Sequence, residues 1–115
     1  MRPIQILFIE SDPVNVILAQ VVFSSSPVKN EISVVANTDQ AMRFLRSKDS
    51  LNNKKIPDLI IYDLNNCDIG AGDFIKGVKS DRDFKNIPII VLTDFMPSQG
   101  LDDLYALNVN CFVFL

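Results

Sequence analysis

The sequence predicts a single α/β domain in which a parallel β-sheet carries helices on both of its faces. The chain has 115 residues, which fits one domain, and 48% of them are hydrophobic, which is enough for a buried core. Short apolar runs alternate along the chain with segments whose apolar residues recur at helical spacing. Since such alternation is typical of right-handed strand–helix–strand units, we predict one doubly wound sheet in a domain that spans residues 1–115.

The first two strands and helices occupy residues 4–46. Residues 4–9 form an apolar run broken by Gln5, as in a strand that is buried on both faces. Asp12 can cap the following helix and Pro13 can open it. The apolar positions of this helix are Val14, Ile17, Leu18, Val21 and Val22. The second strand is centred on Ile32, Val34 and Val35, and the second helix, capped by Asn37 or Thr38, has a buried stripe of Ala41, Met42, Phe44 and Leu45.

Three further strands are predicted, each from a short apolar run. Residues 59–62 form a strand that ends at Asp63, and residues 89–92 form another that ends at Thr93. Between them a helix opens at residues 70–72, with an apolar stripe of Phe74, Ile75 and Val78. A weaker helical pattern at residues 101–107 leads to a last strand at residues 111–114.

Polar side chains follow three of the strands at the points where they end. The carboxyl ends of parallel strands meet at one edge of the sheet, where ligands of such folds bind. The residues expected there are Glu10, Ser11, Asp12, Asp63, Asn65, Thr93 and Asp94. A carboxylate cluster of this kind needs water, protonation or a cation to offset its repulsion.

Magnesium is the cation that best fits this predicted edge. It prefers hard oxygen ligands, which Asp63, the carbonyl of Asn65, and Asp12 or Glu10 through water could supply. An aspartate beside such an ion can attack a phosphoryl group, while a hydroxyl such as that of Thr93 donates to one phosphoryl oxygen. For Asp12, helix capping is an equally good interpretation.

The composition excludes several other functions. The chain contains no His, so Ser-His and Cys-His nucleophiles and His-ligated zinc are excluded. Eleven basic residues against 14 acidic ones give a charge of -3, which offers no surface for nucleic acid. No segment approaches the ~20 apolar residues of a membrane span, so no membrane contact is expected. Cys67 and Cys111 are too widely spaced for a metal or redox pair, which favours reduced thiols and a cytoplasmic location.

Four segments in order carry a family resemblance. They are residues 6–13 (ILFIESDP), 57–65 (PDLIIYDLN), 87–93 (IPIIVLT) and 110–113 (NCFV). Over nearly all its length the chain resembles receiver domains of two-component response regulators, and most of all the small receivers that partner phytochrome-type sensor kinases. The resemblance implies a flavodoxin-like sheet of order 2-1-3-4-5 and no enzyme activity of its own. It also implies a phosphoacceptor at Asp63, a metal-site acid at Glu10, a phosphoryl-sensing hydroxyl at Thr93 and a switch aromatic at Phe112.

The sequence departs from this family at three positions. Receivers place two adjacent acids after the first strand, whereas here Ser11 follows Glu10 and only Asp12 could substitute. The family's lysine after the last strand is replaced by Leu115. Asp94 adds a negative charge where the family has a small residue. Phe112 is also the kind of residue that simply packs in a terminal strand.

The family's last helix, which follows the fifth strand, has no counterpart in these 115 residues. We therefore expect an exposed apolar strip at the strand-five side, and either a longer natural chain or a homodimer that covers it.

These features predict a receiver that accepts a phosphoryl group on Asp63 from a histidine kinase or phosphotransfer protein, with Mg²⁺ bound by Glu10, Asp12, Asp63 and Asn65. The alternative is a pseudo-receiver, an interaction module that is not phosphorylated. An aspartate-nucleophile phosphatase of the haloacid dehalogenase type is disfavoured because Asn65 stands where that group has its second Asp.

Overall fold

The computed structural model describes residues 2–47, 56–64, 70–93 and 111–114. Within them, strands and helices alternate as the sequence predicts. The strands are β1 Ile4–Ile9, β2 Asn30–Val35, β3 Leu59–Asp63, β4 Ile89–Thr93 and β5 Cys111–Phe114, and the helices are α1 Pro13–Ser24, α2 Thr38–Arg46 and α3 Ala71–Ser80. The helix predicted at residues 101–107 lies outside the described residues.

The five strands form one parallel sheet in the order β2-β1-β3-β4-β5, so the predicted topology is confirmed. β1 and β3 lie in the middle of the sheet, which explains why both segments are almost wholly apolar. Among the described residues, no helix is both long enough and apolar enough to cross a bilayer.

Side-chain caps define where the first two helices begin. The Asp12 carboxylate accepts a hydrogen bond from the Val14 N–H at 2.9 Å, and Pro13 occupies the first helical position of α1. At α2, Asn37 caps by accepting from the Gln40 N–H at 2.9 Å, and the Gln40 side chain accepts from the Ala36 N–H at 2.8 Å. Of the two predicted caps for α2, Asn37 is therefore the one used.

One face of the sheet packs against both α2 and α3. Its core residues are Leu7, Ile9, Ile60, Tyr62, Ile89 and Val91, all at most 1% exposed. From the helices, the buried contributions are Ala41, Leu45, Phe74, Ile75 and Val78. The rings of Tyr62 and Phe74 meet edge to face with their centroids 6.1 Å apart.

The opposite face packs against α1 and is less completely covered. Ile6, Phe8 and Ile61 are buried there, with Ala19 and Phe23 of α1 among the partly buried residues against them. The stripe that identified α1 in the sequence is exposed instead, at 57–66% of each side chain. Because α1 is apolar on nearly all sides, its periodicity identifies a helix but not the face that packs.

Candidate functional site

The register of the central strands brings two acids together at the carboxyl edge of the sheet. β1 and β3 pair with Ile9 beside Tyr62, so Glu10 and Asp63 are the next residues along each strand. The Glu10 N–H donates to the Val35 carbonyl at 2.9 Å, which continues the ladder with β2 past the end of β1. Neighbouring strands lie about 4.8 Å apart, which brings the two carboxyl groups within reach of each other.

Both acids are almost completely buried. Glu10 is 3% exposed and Asp63 is 4% exposed. The Glu10 carboxylate accepts hydrogen bonds from the backbone N–H groups of Ser11 at 3.0 Å and Asp12 at 3.2 Å. These amides partly replace the water that the carboxylate loses on folding.

A hydrogen bond joins the side chains of Glu10 and Asp63. Two carboxyl groups can form such a bond only when one of them carries a proton. Burial raises the pKa of Glu10 to about 6, and the hydrogen bond and the charge of Asp63 act in the same direction. Hydrogen bonds from the Asp12 backbone and the Asn15 side chain oppose this rise. Below a pH of about 6, protonation of Glu10 therefore offsets the repulsion within the pair.

Asp12 uses one carboxylate oxygen, Oδ1, to cap α1. Among the residues that the structure describes, no group of three His, Cys, Asp or Glu side chains forms a cluster that could hold a metal. Of the four metal ligands expected from the sequence, Glu10 and Asp63 form the buried pair and Asp12 caps α1. The fourth, Asn65, lies outside the described residues. The assignment of all four as ligands stays a prediction.

Thr93 and Phe112, the two other predicted site residues, lie on the strands beyond β3. Thr93 is the last residue of β4 and is fully buried. Leu92 of β4 is the register partner of Asp63 of β3. Thr93 is the next residue of β4, so it lies one position further toward the carboxyl edge than Asp63. Phe112 of β5 is the register partner of Val91 of β4, which in turn pairs with Tyr62, the residue before Asp63. The structure describes only the backbone of Phe112.

Asn15 is a site residue that the sequence pattern did not single out. Its side chain hydrogen-bonds the Glu10 carboxylate from the first turn of α1. The available signal was its polarity, because Asn15 is the only polar side chain in the first turn, Pro13–Val16. It also follows the capping Asp12 by three residues, which turns it back toward the helix start.

The buried pair is a donor set that suits a hard divalent cation. Carboxylate oxygens are the ligands that magnesium prefers, and a cation would offset the same charge that the shared proton now offsets. Glu10 and Asp63 therefore fit a metal ion chemically. Asp63 also has the nucleophilic group that an acyl phosphate requires.

A scan against models of known protein families gives no match. The response regulator Rcp1 of Synechocystis sp. is 30% identical over 111 residues, which are 96% of this chain and 76% of the relative. Among solved structures, the phosphorylated cyanobacterial phytochrome response regulator RcpA superposes with a TM-score of 0.85 at 29% identity, covering 98% of this chain and 81% of that one.

Two further solved structures show the same likeness. The Mn²⁺-bound form of Rcp1 has a TM-score of 0.85 at 29% identity and covers 97% of this chain and 81% of that one. The bacteriophytochrome response regulator RtBRR has a TM-score of 0.78 at 25% identity and covers 98% and 69% of the two chains. The similarity therefore extends over nearly the whole chain.

Proposed function

The chain belongs to the response regulators as a receiver domain, and on this premise we propose that Asp63 accepts a phosphoryl group from a histidine kinase or a phosphotransfer protein. The observation that carries the proposal is the buried Glu10–Asp63 pair at the carboxyl edge of the sheet. A buried acid whose charge must be offset is typical of functional sites in such folds.

In the proposed reaction, an Asp63 carboxylate oxygen attacks the phosphorus of a phosphohistidine. The phosphorus–nitrogen bond breaks with its electron pair left on the imidazole nitrogen, which takes up a proton from solvent, and an acyl phosphate forms on Asp63. The Thr93 hydroxyl donates a hydrogen bond to one phosphoryl oxygen and so senses the modification.

Magnesium is the proposed cofactor, with Glu10 and Asp63 as its carboxylate ligands. We propose that Asp12 contacts the ion through water with Oδ2, since Oδ1 caps α1, and that Asn65 contributes its carbonyl. When bound, the ion would offset negative charge on the transferring oxygens. The Mn²⁺-bound form of Rcp1 supports a divalent site in this family.

The proposed partner is a phytochrome-type sensor kinase. This proposal rests on the relatives, since RcpA and RtBRR are phytochrome response regulators. Acceptance of the phosphoryl group would change the surface around Thr93 and Phe112, and we propose that output depends on that change rather than on contact with nucleic acid.

The alternative is a pseudo-receiver that keeps the fold as an interaction module. Three observations favour it. Ser11 stands where receivers have their second acid, and Asp12 is engaged as a helix cap. Leu115 stands at the position of the family's lysine. A pseudo-receiver would retain the Glu10–Asp63 pair with its shared proton and take neither metal nor phosphate.

Mass spectrometry after incubation with acetyl phosphate and magnesium separates the two functions. We expect a gain of one phosphoryl group that Asp63→Asn abolishes. The control is Asp39→Asn, which changes an exposed acid of α2 and leaves the gain intact. No mass gain, together with no magnesium-dependent change in the NMR spectrum, would establish the pseudo-receiver.

Asp12→Asn distinguishes capping from metal contact. Asn caps helices as well as Asp, so the variant keeps α1 intact while it removes the charge. If Asp12 contacts the ion, magnesium affinity measured by titration calorimetry falls several-fold and the melting temperature changes little. Unchanged affinity would restrict Asp12 to its capping role.

A further inference from the structure

Three hydrogen-bond donors converge on the carboxylate of Glu10. Two are the backbone N–H groups of Ser11 and Asp12, which donate to Oε2 at 3.0 Å and 3.2 Å. The third is the side chain of Asn15, in the first turn of α1. Because the Glu10 side chain is almost completely buried and has little contact with water, these donors influence which way the carboxylate points. Of the three, only the Asn15 contact depends on the identity of a side chain.

The geometry of the helix start explains how Asn15 reaches Glu10. Asp12 is the N-cap of α1 and Pro13 is the first helical residue, so Asn15 occupies the third helical position, N3. In the capping box, a common helix start, an acidic or amide side chain at N3 accepts a hydrogen bond from the N–H of the N-cap. Here the N–H of Asp12 donates to Glu10 instead, and the N3 side chain donates to the same carboxylate. Glu10 thus takes the place of the N3 acceptor and becomes part of the cap of α1.

The residue type at N3 suits this arrangement. An acid at this position, which helix starts ordinarily favour, would place a second negative charge beside Glu10. A lysine or an arginine would neutralise Glu10 and so compete with a bound cation. The neutral amide of Asn15 donates a hydrogen bond and leaves the charge of the carboxylate unchanged. Asn15 therefore supports Glu10 without offsetting the charge that a cation would bind.

We propose that Asn15 is a positioning residue, which fixes the carboxylate of Glu10 in the orientation that faces Asp63. The side chain of Glu10 bonds that of Asp63, so its carboxyl group links the cap of α1 to the end of β3. Hydrogen-bond partners of this kind hold the ligands of metal sites in place, and their loss lowers metal affinity roughly 10- to 100-fold. The consequence for magnesium rests on the proposed function, whereas the contact itself does not require the metal.

NMR of the full chain in EDTA tests the position of Glu10 without any metal. Asn15→Leu removes the donor while keeping nearly the same shape, and Leu favours helices more than Asn does, so α1 should remain folded. We expect the three-bond couplings that report the Glu10 side-chain rotamer to move toward rotamer-averaged values in this variant. Gln20→Leu is the matched control, because it replaces an exposed amide of the same helix, and it should keep the wild-type couplings. Unchanged Glu10 couplings in Asn15→Leu, or equal changes in both variants, would overturn the proposal.

Titration calorimetry with magnesium chloride measures the consequence for the proposed metal site. We expect Asn15→Leu to weaken magnesium binding about tenfold and Gln20→Leu to leave it within about twofold of wild type. A merely structural role for Asn15 would instead lower the melting temperature in EDTA and leave the magnesium affinity unchanged, which would overturn the proposal. If the wild-type chain binds no magnesium, the proposed metal site is wrong, and the Glu10 couplings in EDTA still decide whether Asn15 fixes the carboxylate.

Discussion

The two faces of the sheet are covered in different ways. On the face beneath α2 and α3, the buried residues of β1, β3 and β4 are at most 1% exposed, and Val35 of the edge strand β2 is partly buried. On the face beneath α1, Ile6 and Phe8 are 5% exposed, Ile61 is 8% exposed, and Leu92 is partly exposed. Two amphipathic helices that turn their apolar sides inward thus bury a sheet more completely than one helix that is apolar all round.

The two faces also differ in their relation to the acidic edge. The face beneath α2 and α3 contains Tyr62 and Val91, which lie one and two residues before the site residues Asp63 and Thr93 along their strands. The α1 face instead leaves five aliphatic side chains of α1 exposed. The acid pair lies at the edge where both faces end.

Leucine truncation gives the largest expected effect and tests the comparison directly. Leu45 of α2 is 1% exposed, and Leu18 of α1 is 57% exposed. Leu45→Ala should lower the free energy of unfolding by about 3 kcal/mol, because it removes buried methyl groups and leaves a cavity. Leu18→Ala should lower it by less than about 1 kcal/mol, because that side chain is already exposed.

Urea unfolding of the two variants, followed by circular dichroism, provides the measurement. The two substitutions remove the same atoms from helices, so helix propensity cancels between them. Similar losses for the two leucines would show that the α1 stripe is buried in solution and would break the comparison.

The shared proton at the acidic edge gives the next largest effect. The pKa of Glu10 is about 6 in the folded chain against an ordinary value of 4.5, so the folded state binds the proton more tightly. The stabilisation is complete below pH 4.5 and is lost as the pH rises through 6. In EDTA, the chain should therefore be less stable at pH 7.5 than at pH 5, by on the order of 1–2 kcal/mol from this group.

Glu10→Gln should remove most of this pH dependence, because an amide keeps a hydrogen bond to Asp63 without titrating. Glu31→Gln is the control, since Glu31 is an exposed glutamate on β2. Urea unfolding at the two pH values measures the effect. An unchanged pH profile in Glu10→Gln would show that the two acids do not share a proton in solution.

Glycine replacements in α3 give the smallest effect, and they test how tightly α3 packs against α2. A Cβ at Gly72 meets nothing within 4 Å, whereas one at Gly77 would lie 3.2 Å from Cε of Met42 in α2. Gly72→Ala should stabilise the chain by up to about 1 kcal/mol through helix propensity. Gly77→Ala should gain less, because the end of Met42 must move.

Thermal melts of both variants measure the difference. If Gly77→Ala stabilises the chain as much as Gly72→Ala, then α2 and α3 are packed more loosely than the structure indicates.

Local sequence patterns were sufficient to predict most of the fold. Buried runs such as residues 59–63 predict central strands, and the residues that follow them predict the acidic edge. The caps were readable as well, because Asp12 and Asn37 stand directly before helical patterns. These features depend on neighbours within a few positions, which the sequence itself displays.

The tertiary structure decided which groups meet across the chain. Glu10 and Asp63 lie side by side because the β1–β3 register pairs residues 53 positions apart. Asn15 contacts Glu10 from the first turn of α1, and its polarity and spacing from Asp12 did not by themselves identify that partner. The outward direction of the α1 stripe was likewise decided by packing, since a helix that is apolar on all sides can bury any of them. The periodicity of apolar residues predicts which secondary-structure element forms. Which side of that element is buried depends on the elements packed against it.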